Sequence, residues 1–319
     1  MELSRFFSRR AVVLLLLTAG LLSVLVAGST LWSTRPVSAG DQAAAEAQVR
    51  EQVNRPGFQQ ELAACRTDPE QSFGPGATPE DCDTGLTPTA DVYLDRSPLS
   101  LAEQLDGSGV PLVVMLTAFM IIVGATFAGA DWTTGSMSNQ LLFEPRRLRV
   151  WTAKAVAVVL GCAAVSAVLL VGFWLALFLV AEARNVSTSA AVLEKVRLLV
   201  GRGLVLTTLA GLGGYALTML LRSTVGSLAL LFAYVVGGEA LLTLLPIERS
   251  GRWSLTNNVF AWIRDGVQVF DETITCPPSS AMCNQLFQLT LLDAAVYLGS
   301  LLLVTMFLSA LLFRRRDIA

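Results

Sequence analysis

Apolar residues in this chain gather into long runs instead of alternating with polar ones. Each run is about 20 residues or more, the length a helix needs to cross roughly 30 Å of hydrocarbon at about 1.5 Å per residue. The pattern predicts six spans, one within residues 1–33 and the others at 110–130, 150–181, 194–222, 225–246 and 289–313. The expected fold class is therefore an all-α polytopic membrane protein. The first run, residues 11–32, is longer than the about 7–15 residues of a secretory signal core. A retained span is expected there, rather than a leader cleaved near Val37-Ser38-Ala39.

Two long polar intervals separate the runs. Residues 34–108 carry thirteen Asp or Glu against five Arg and no Lys, which marks residues 34–109 as a solvated extracytoplasmic insert. Its segment DQAAAEAQVREQV, from Asp41 to Val53, holds helix formers and no breaker, and Arg55-Pro56-Gly57 should end that helix. Pro and Gly concentrate between Pro69 and Pro88, which predicts an irregular, mobile middle. The second interval, 247–288, includes WSLTNNVFAWIRDGVQVF (Trp253 to Phe270), with Val259, Ile263, Val267 and Phe270 on one helical face. That segment is too polar to span, so an interfacial or re-entrant helix is expected between the fifth and sixth spans.

Charge sets the expected orientation. With the N-terminus inside, the inner segments hold Arg5, Arg9, Arg10, Arg146, Arg147, Arg149, Lys154, Arg222 and Arg314 to Arg316, against Glu2, Glu144, Asp317 and the boundary Asp131. This excess of cations predicts N-in, C-in topology, with 131–149 and the tail 314–319 in the cytoplasm of a bacterial cell. The cysteines agree. Cys65, Cys82, Cys276 and Cys283 fall in the two outer segments and Cys162 in the third span. Four cysteines in an oxidising compartment read as disulfides with three possible connectivities, the local pairs 65 with 82 and 276 with 283 being preferred because each closes a short loop. Neither spacing is that of a zinc site.

Three charges fall inside apolar runs: Arg202, Glu239 and Asp293. Helix rise places them about 9, 10 and 6 Å from the outer ends of their spans, one common level. A charge in hydrocarbon costs about 2.5–3.5 kcal/mol even on insertion scales, so the three should pair in the bundle interior. Such a network is either a structural lock or an outer gate on a translocation path. Gly211, Gly213, Gly214, Gly237 and Gly238 predict close helix packing, and the last two permit a bend before Glu239.

Enzyme readings find no support. There is no His anywhere, which removes a Ser–His mechanism and the commonest metal ligand. No GxxxxGK[ST] occurs, so this chain has no P-loop of its own. With a net charge of −2 and no basic stripe interleaved with aromatics, nucleic acid is not an expected partner.

The remaining stretch, DWTTGSMSNQLLFEPRRLRVWTAK from Asp131 to Lys154, joins the second and third spans. Its Asp131, Gly135-Ser136, Leu141-Leu142, Pro145, Arg146, Arg147 and Lys154 resemble the permease subunits of ABC-2 type transporters, as does GLGGYALTMLLRSTVGSLAL from Gly211 to Leu230. Asp131 stands where the family usually has Glu, Ser136 where it has Thr, and the Pro comes one residue later. The resemblance implies a coupling helix over Met137 to Phe143 that docks in a groove of a separate ATPase, with Asp131, Gly135, Ser136, Leu141, Leu142, Phe143, Pro145, Arg146 and Arg147 as coupling residues. It implies ATP and Mg bound by that partner and no cofactor on this chain, a second permease copy, a plasma-membrane location and export of an amphipathic or lipid-like cargo. Two rivals are a non-conducting membrane anchor whose insert binds a partner, and a proton-coupled carrier that needs no ATPase.

Overall fold

Six helices long and apolar enough to cross a membrane dominate the computed structural model, which describes residues 2–74, 76–94, 98–244, 248–271 and 285–315. In chain order the helices are α1 (Glu2–Ser8), α2 (Arg10–Ser33), α3 (Ala39–Val53), α4 (Pro56–Thr67), α5 (Pro69–Phe73), α6 (Pro79–Leu86), α7 (Leu101–Gln104) and α8 (Val110–Thr133). They continue with α9 (Ser136–Phe143), α10 (Arg147–Ala183), α11 (Ala190–Leu221), α12 (Thr224–Ala233), α13 (Glu239–Leu244), α14 (Leu255–Arg264) and α15 (Leu291–Arg315). Two strands, β1 (Val267–Phe270) and β2 (Leu286–Leu289), pair antiparallel with Val267 opposite Leu289. The protein is thus a helical, multi-pass membrane protein. It divides into two compact units, residues 28–100 and the remainder.

In the larger unit α11 is the centre, packed on α8, α10 and α15. Between segments as apolar as lipid, close van der Waals contact holds helices together, and small residues allow it. A side chain on Gly124 of α8 would collide with the Gly211 carbonyl, and one on Gly214 of α11 with the Ile121 carbonyl. The predicted glycine packing is therefore real for Gly211 and Gly214, whereas Gly213 faces away, with Leu302 at 3.6 Å from a built Cβ. Around this crossing lie Met120, Val123, Phe127, Leu212, Tyr215 and Met219, together with Phe6 from α1.

Most span ends shift by a few residues, and three differences have a local structural cause. The second span begins at α7 rather than at Val110, because a π turn at Leu105–Gly109 carries the helix through. Its wide register lets Val110 donate to the Leu105 carbonyl, and Pro111, which has no N–H, then falls in the first turn of α8. The fifth span, helical over Thr224–Leu242, passes through a second π turn at Tyr234–Gly238, which ends on the Gly pair. Finally, the face drawn through Val259, Ile263, Val267 and Phe270 is not one helix. Asp265 and Gly266 take φ of 69° and 109° and close α14, with the Gly266 N–H donating to the Ala261 carbonyl at 2.8 Å. Val267 and Phe270 then belong to β1.

The smaller unit holds α3 to α6. Ser38 caps α3 in a reciprocal capping box with Asp41, so the helix starts at Ala39, and Pro56 opens α4 instead of leaving a loop. The Pro- and Gly-rich middle, expected to be irregular, contains α5 and α6, each with Pro in its first turn. Thr78 and Asp81 form a second capping box, and the two Thr78 hydrogen bonds hold the Asp81 carboxyl below its usual range. Cys65 and Cys82 are bonded to each other, which settles that local pairing. The disulfide packs with Leu62, Phe58 and Leu86, and Arg66 reaches Asp83 at 2.9 Å beside it. Cys276 and Cys283 lie outside the described residues.

Candidate functional site

One end of the larger unit gathers the termini of α2, α8, α10, α11 and α15. Asp131 lies in the last turn of α8 and Lys154 two turns into α10, and both side chains are buried. Lys154 Nζ donates to Asp131 Oδ2 at 2.6 Å and to Glu2 Oε2 at 3.1 Å, and Arg9 bonds the other Asp131 oxygen. Glu2 also pairs with the half-exposed Arg5 at 2.9 Å, so two carboxylates face three cations. The Phe127 ring floors it, 5.5 Å from Lys154 Nζ and 5.7 Å from the Arg9 guanidinium. Phe6 of α1 packs on Phe127 and fills the notch that Gly161 leaves on α10, which seats α1 in the bundle.

Next to this cluster the chain turns. Gly135 takes φ of 66°, a conformation open to glycine, and starts α9. Met137 is buried and Leu141 packs on the core, whereas Leu142 and Phe143 are 81 % and 92 % exposed. Two apolar side chains therefore project from a helix that is itself anchored. Glu144 pairs with Arg149 at 3.2 Å, Pro145 and Arg146 are exposed, and Arg147 begins α10 with a hydrogen bond to the Arg314 carbonyl. Arg222, in the left-handed cap of α11, lies 4.9 Å from the Trp132 ring, which meets Phe313 edge-on. Of the predicted coupling residues, Asp131 is thus an interior residue, and Gly135, Leu142, Phe143, Pro145 and Arg146 are on the surface. Ser136, Leu141 and Arg147 are half-buried.

The structure does not bring Arg202, Glu239 and Asp293 together, and so the predicted charge network is corrected. Each is taken by a nearer partner. Arg202 pairs with Asp265 just past α14 at 2.9 Å, and its carbonyl accepts from Trp262 Nε1 at 3.0 Å. Glu239 accepts from Ser254 Oγ at 2.8 Å and the Thr256 N–H at 3.0 Å, and so sits at the start of α14, where exposed N–H groups favour an anion. Asp293 lies in the first turn of α15, at the start of the span Leu291–Arg315, and closes a capping box with Thr290. Arg202 and Glu239 fasten α14 to its neighbours, and Asp293 caps α15.

Sequence reasoning missed the roles of Glu2 and Arg9, counted only as boundary charges. The signal was present: a single Asp at the end of one span and a single Lys at the start of the next each need an opposite charge once buried. No protein-family model, curated protein or solved structure matches this chain.

Proposed function

We propose that this chain is the membrane-spanning subunit of an ABC-2 type exporter, moving an amphipathic cargo with energy from ATP and Mg bound by a separate ATPase subunit. The observation that carries the reading is α9: a short helix held by Met137 and Leu141 that offers Leu142 and Phe143 outward. It lies at the bundle end where the sequence concentrates Arg, the end the cation excess assigns to the cytoplasm. Apolar side chains raised on a rigid helix suit a groove on a soluble partner better than open water. The windows of α2, α12 and α15 that are only 17 %, 6 % and 11 % buried leave apolar faces for lipid and for a second permease copy.

The test is co-purification with any ABC ATPase encoded beside this gene. Leu142→Asp with Phe143→Asp should weaken association at least about tenfold, the size expected when an interface anchor is lost. Unchanged association and unchanged ATP turnover would overturn the reading. The disulfide-stapled unit of residues 28–100 favours a second reading, a non-conducting anchor whose insert holds an outer partner. ATP-dependent cargo movement in liposomes that hold only this chain and its ATPase would exclude that reading, and its absence in the presence of a bound ATPase would support it.

A further inference from the structure

A cleft of about 510 Å³ lies between α8, α11, α12, α14 and α15 and reaches along α11 from Val205 to Leu217. Its walls are apolar, among them Leu209, Gly213, Leu230, Leu298 and Gly299, and Trp262 of α14 covers one end. The volume is that of a small-molecule site. A second, polar pocket of about 330 Å³ lies beyond α14, lined by Arg249, Arg252, Gln288 and Asp293. The two are joined by one set of contacts. Arg252 precedes Trp253, whose carbonyl accepts from Tyr297 at 2.8 Å, and the Tyr297 hydroxyl bonds that of Tyr234, which lines the cleft. Helix α15 runs through both pockets, and Asp293 in one is only about 7.5 Å of helix rise from Leu298 in the other.

Charge in the polar pocket is unbalanced. Arg252 acts on Asp293 across the pocket, but neither it nor Arg249 makes an ion pair within 4 Å among the described residues, and Asp293 is held by the N–H and hydroxyl of Thr290. Asp271 stands behind, accepting from the Arg249 backbone N–H at 2.8 Å. Two guanidinium groups against one lining carboxylate suit an anion, and guanidinium recognises carboxylate and phosphate alike.

We infer that the cleft and the arginine pocket together bind a single-chain anionic amphiphile, its tail among α11, α12 and α15 and its carboxylate or phosphate head at Arg249 and Arg252. The inference names the cargo class of the proposed exporter and rests on that reading for release, not for binding.

Binding is tested without any ATPase, so failure here and failure of ATPase association are separate results. The full chain in nanodiscs of neutral lipid is exposed to long-chain probes that carry a photoreactive group on the tail and a carboxylate, a phosphate or a hydroxyl head. Both anionic probes should label α11 and α15 peptides, and the stronger of the two identifies a fatty-acid-like or a lysophospholipid-like ligand. A side chain built on Gly299 meets nothing within 4 Å, so Gly299→Phe enters open space and should cut labelling at least about tenfold. Gly213→Leu fills the cleft from α11 and serves if the first variant is poorly folded. Arg249→Gln with Arg252→Gln should lower labelling by the anionic probes about tenfold and leave the hydroxyl probe unchanged. Labelling spread over all lipid-facing helices and insensitive to Gly299→Phe overturns the inference, as does equal labelling by all three heads. Crosslinking of Gly299→Cys to a second copy, with no probe labelling, assigns the cleft to an inter-subunit contact and overturns it as well.

Discussion

Asp131 and Lys154 are the most consequential single residues here because they are charged and have almost no water. Two buried ions repay their desolvation only with close geometry and further hydrogen bonds, and this cluster has both, through Arg9 and Glu2. Asp131→Asn should therefore destabilise the protein by up to about 3 kcal/mol, because the buried Lys154 keeps only the more distant Glu2 carboxylate and Arg9 loses its partner. Pairing Asp131→Leu with Lys154→Met removes both buried charges, so its loss should be smaller than the sum of the two single losses. A double-mutant cycle on unfolding of the detergent-solubilised protein measures this, and strict additivity would show that the pair is not coupled. Both residues stood out in the sequence, but their pairing did not: they are 23 positions apart, and Arg9 is 122 from Asp131. The opposite error concerns Arg202, Glu239 and Asp293, where equal depth suggested mutual pairing. Depth along a helix says nothing of azimuth or of nearer partners, and local caps claimed two of the three.

Among elements, the contact of α8 with α11 governs the packing, and adjacent glycines play opposite parts in it. Gly214→Ala drives a methyl group into the Ile121 carbonyl, which should cost about 1–3 kcal/mol as an overpacked contact. Gly213→Ala meets only Leu302 at 3.6 Å and should be neutral or slightly stabilising, since Ala favours helix by about 1 kcal/mol over Gly. Thermal unfolding of both variants checks the contrast, and similar losses at 213 and 214 would contradict it. The long helices could be read from run length alone, because a continuous apolar run has few alternatives. The π turns could not. Leu105–Gly109 (LDGSG) is polar and reads as the end of the insert, while at Tyr234–Gly238 (YVVGG) the register changes inside an apolar run, so hydropathy marks neither as a turn within a continuing helix.

For the molecule as a whole, the two units are stabilised by different means. The membrane unit relies on shape fit between helices, while the unit of residues 28–100 has a small core around Leu62 and needs its staple. Cys65 and Cys82 are 17 residues apart, so losing the bond should cost about 3 kcal/mol. Limited proteolysis of Cys65→Ser with Cys82→Ser should show faster cleavage within 28–100 and an unchanged pattern elsewhere. Equal protection there would mean that the helices hold the unit without the bond. The insert and its local disulfide were visible as an acidic, Cys-bearing interval, whereas α5 and α6 were hidden because Pro was read as a breaker, when it sits in the first turn of each helix.

The seat of α1 has a further consequence. Because Arg9 and Glu2 clasp the same ions that join α8 to α10, the head of α2 is clamped to the corner from which α9 projects. A push on Leu142 and Phe143 meets two options: drag α2 along as one lever, or pull opposite charges apart where no solvent can replace them. The second costs several kcal/mol. The first helix of the bundle is thereby geared to α9, and movement at one is movement at the other.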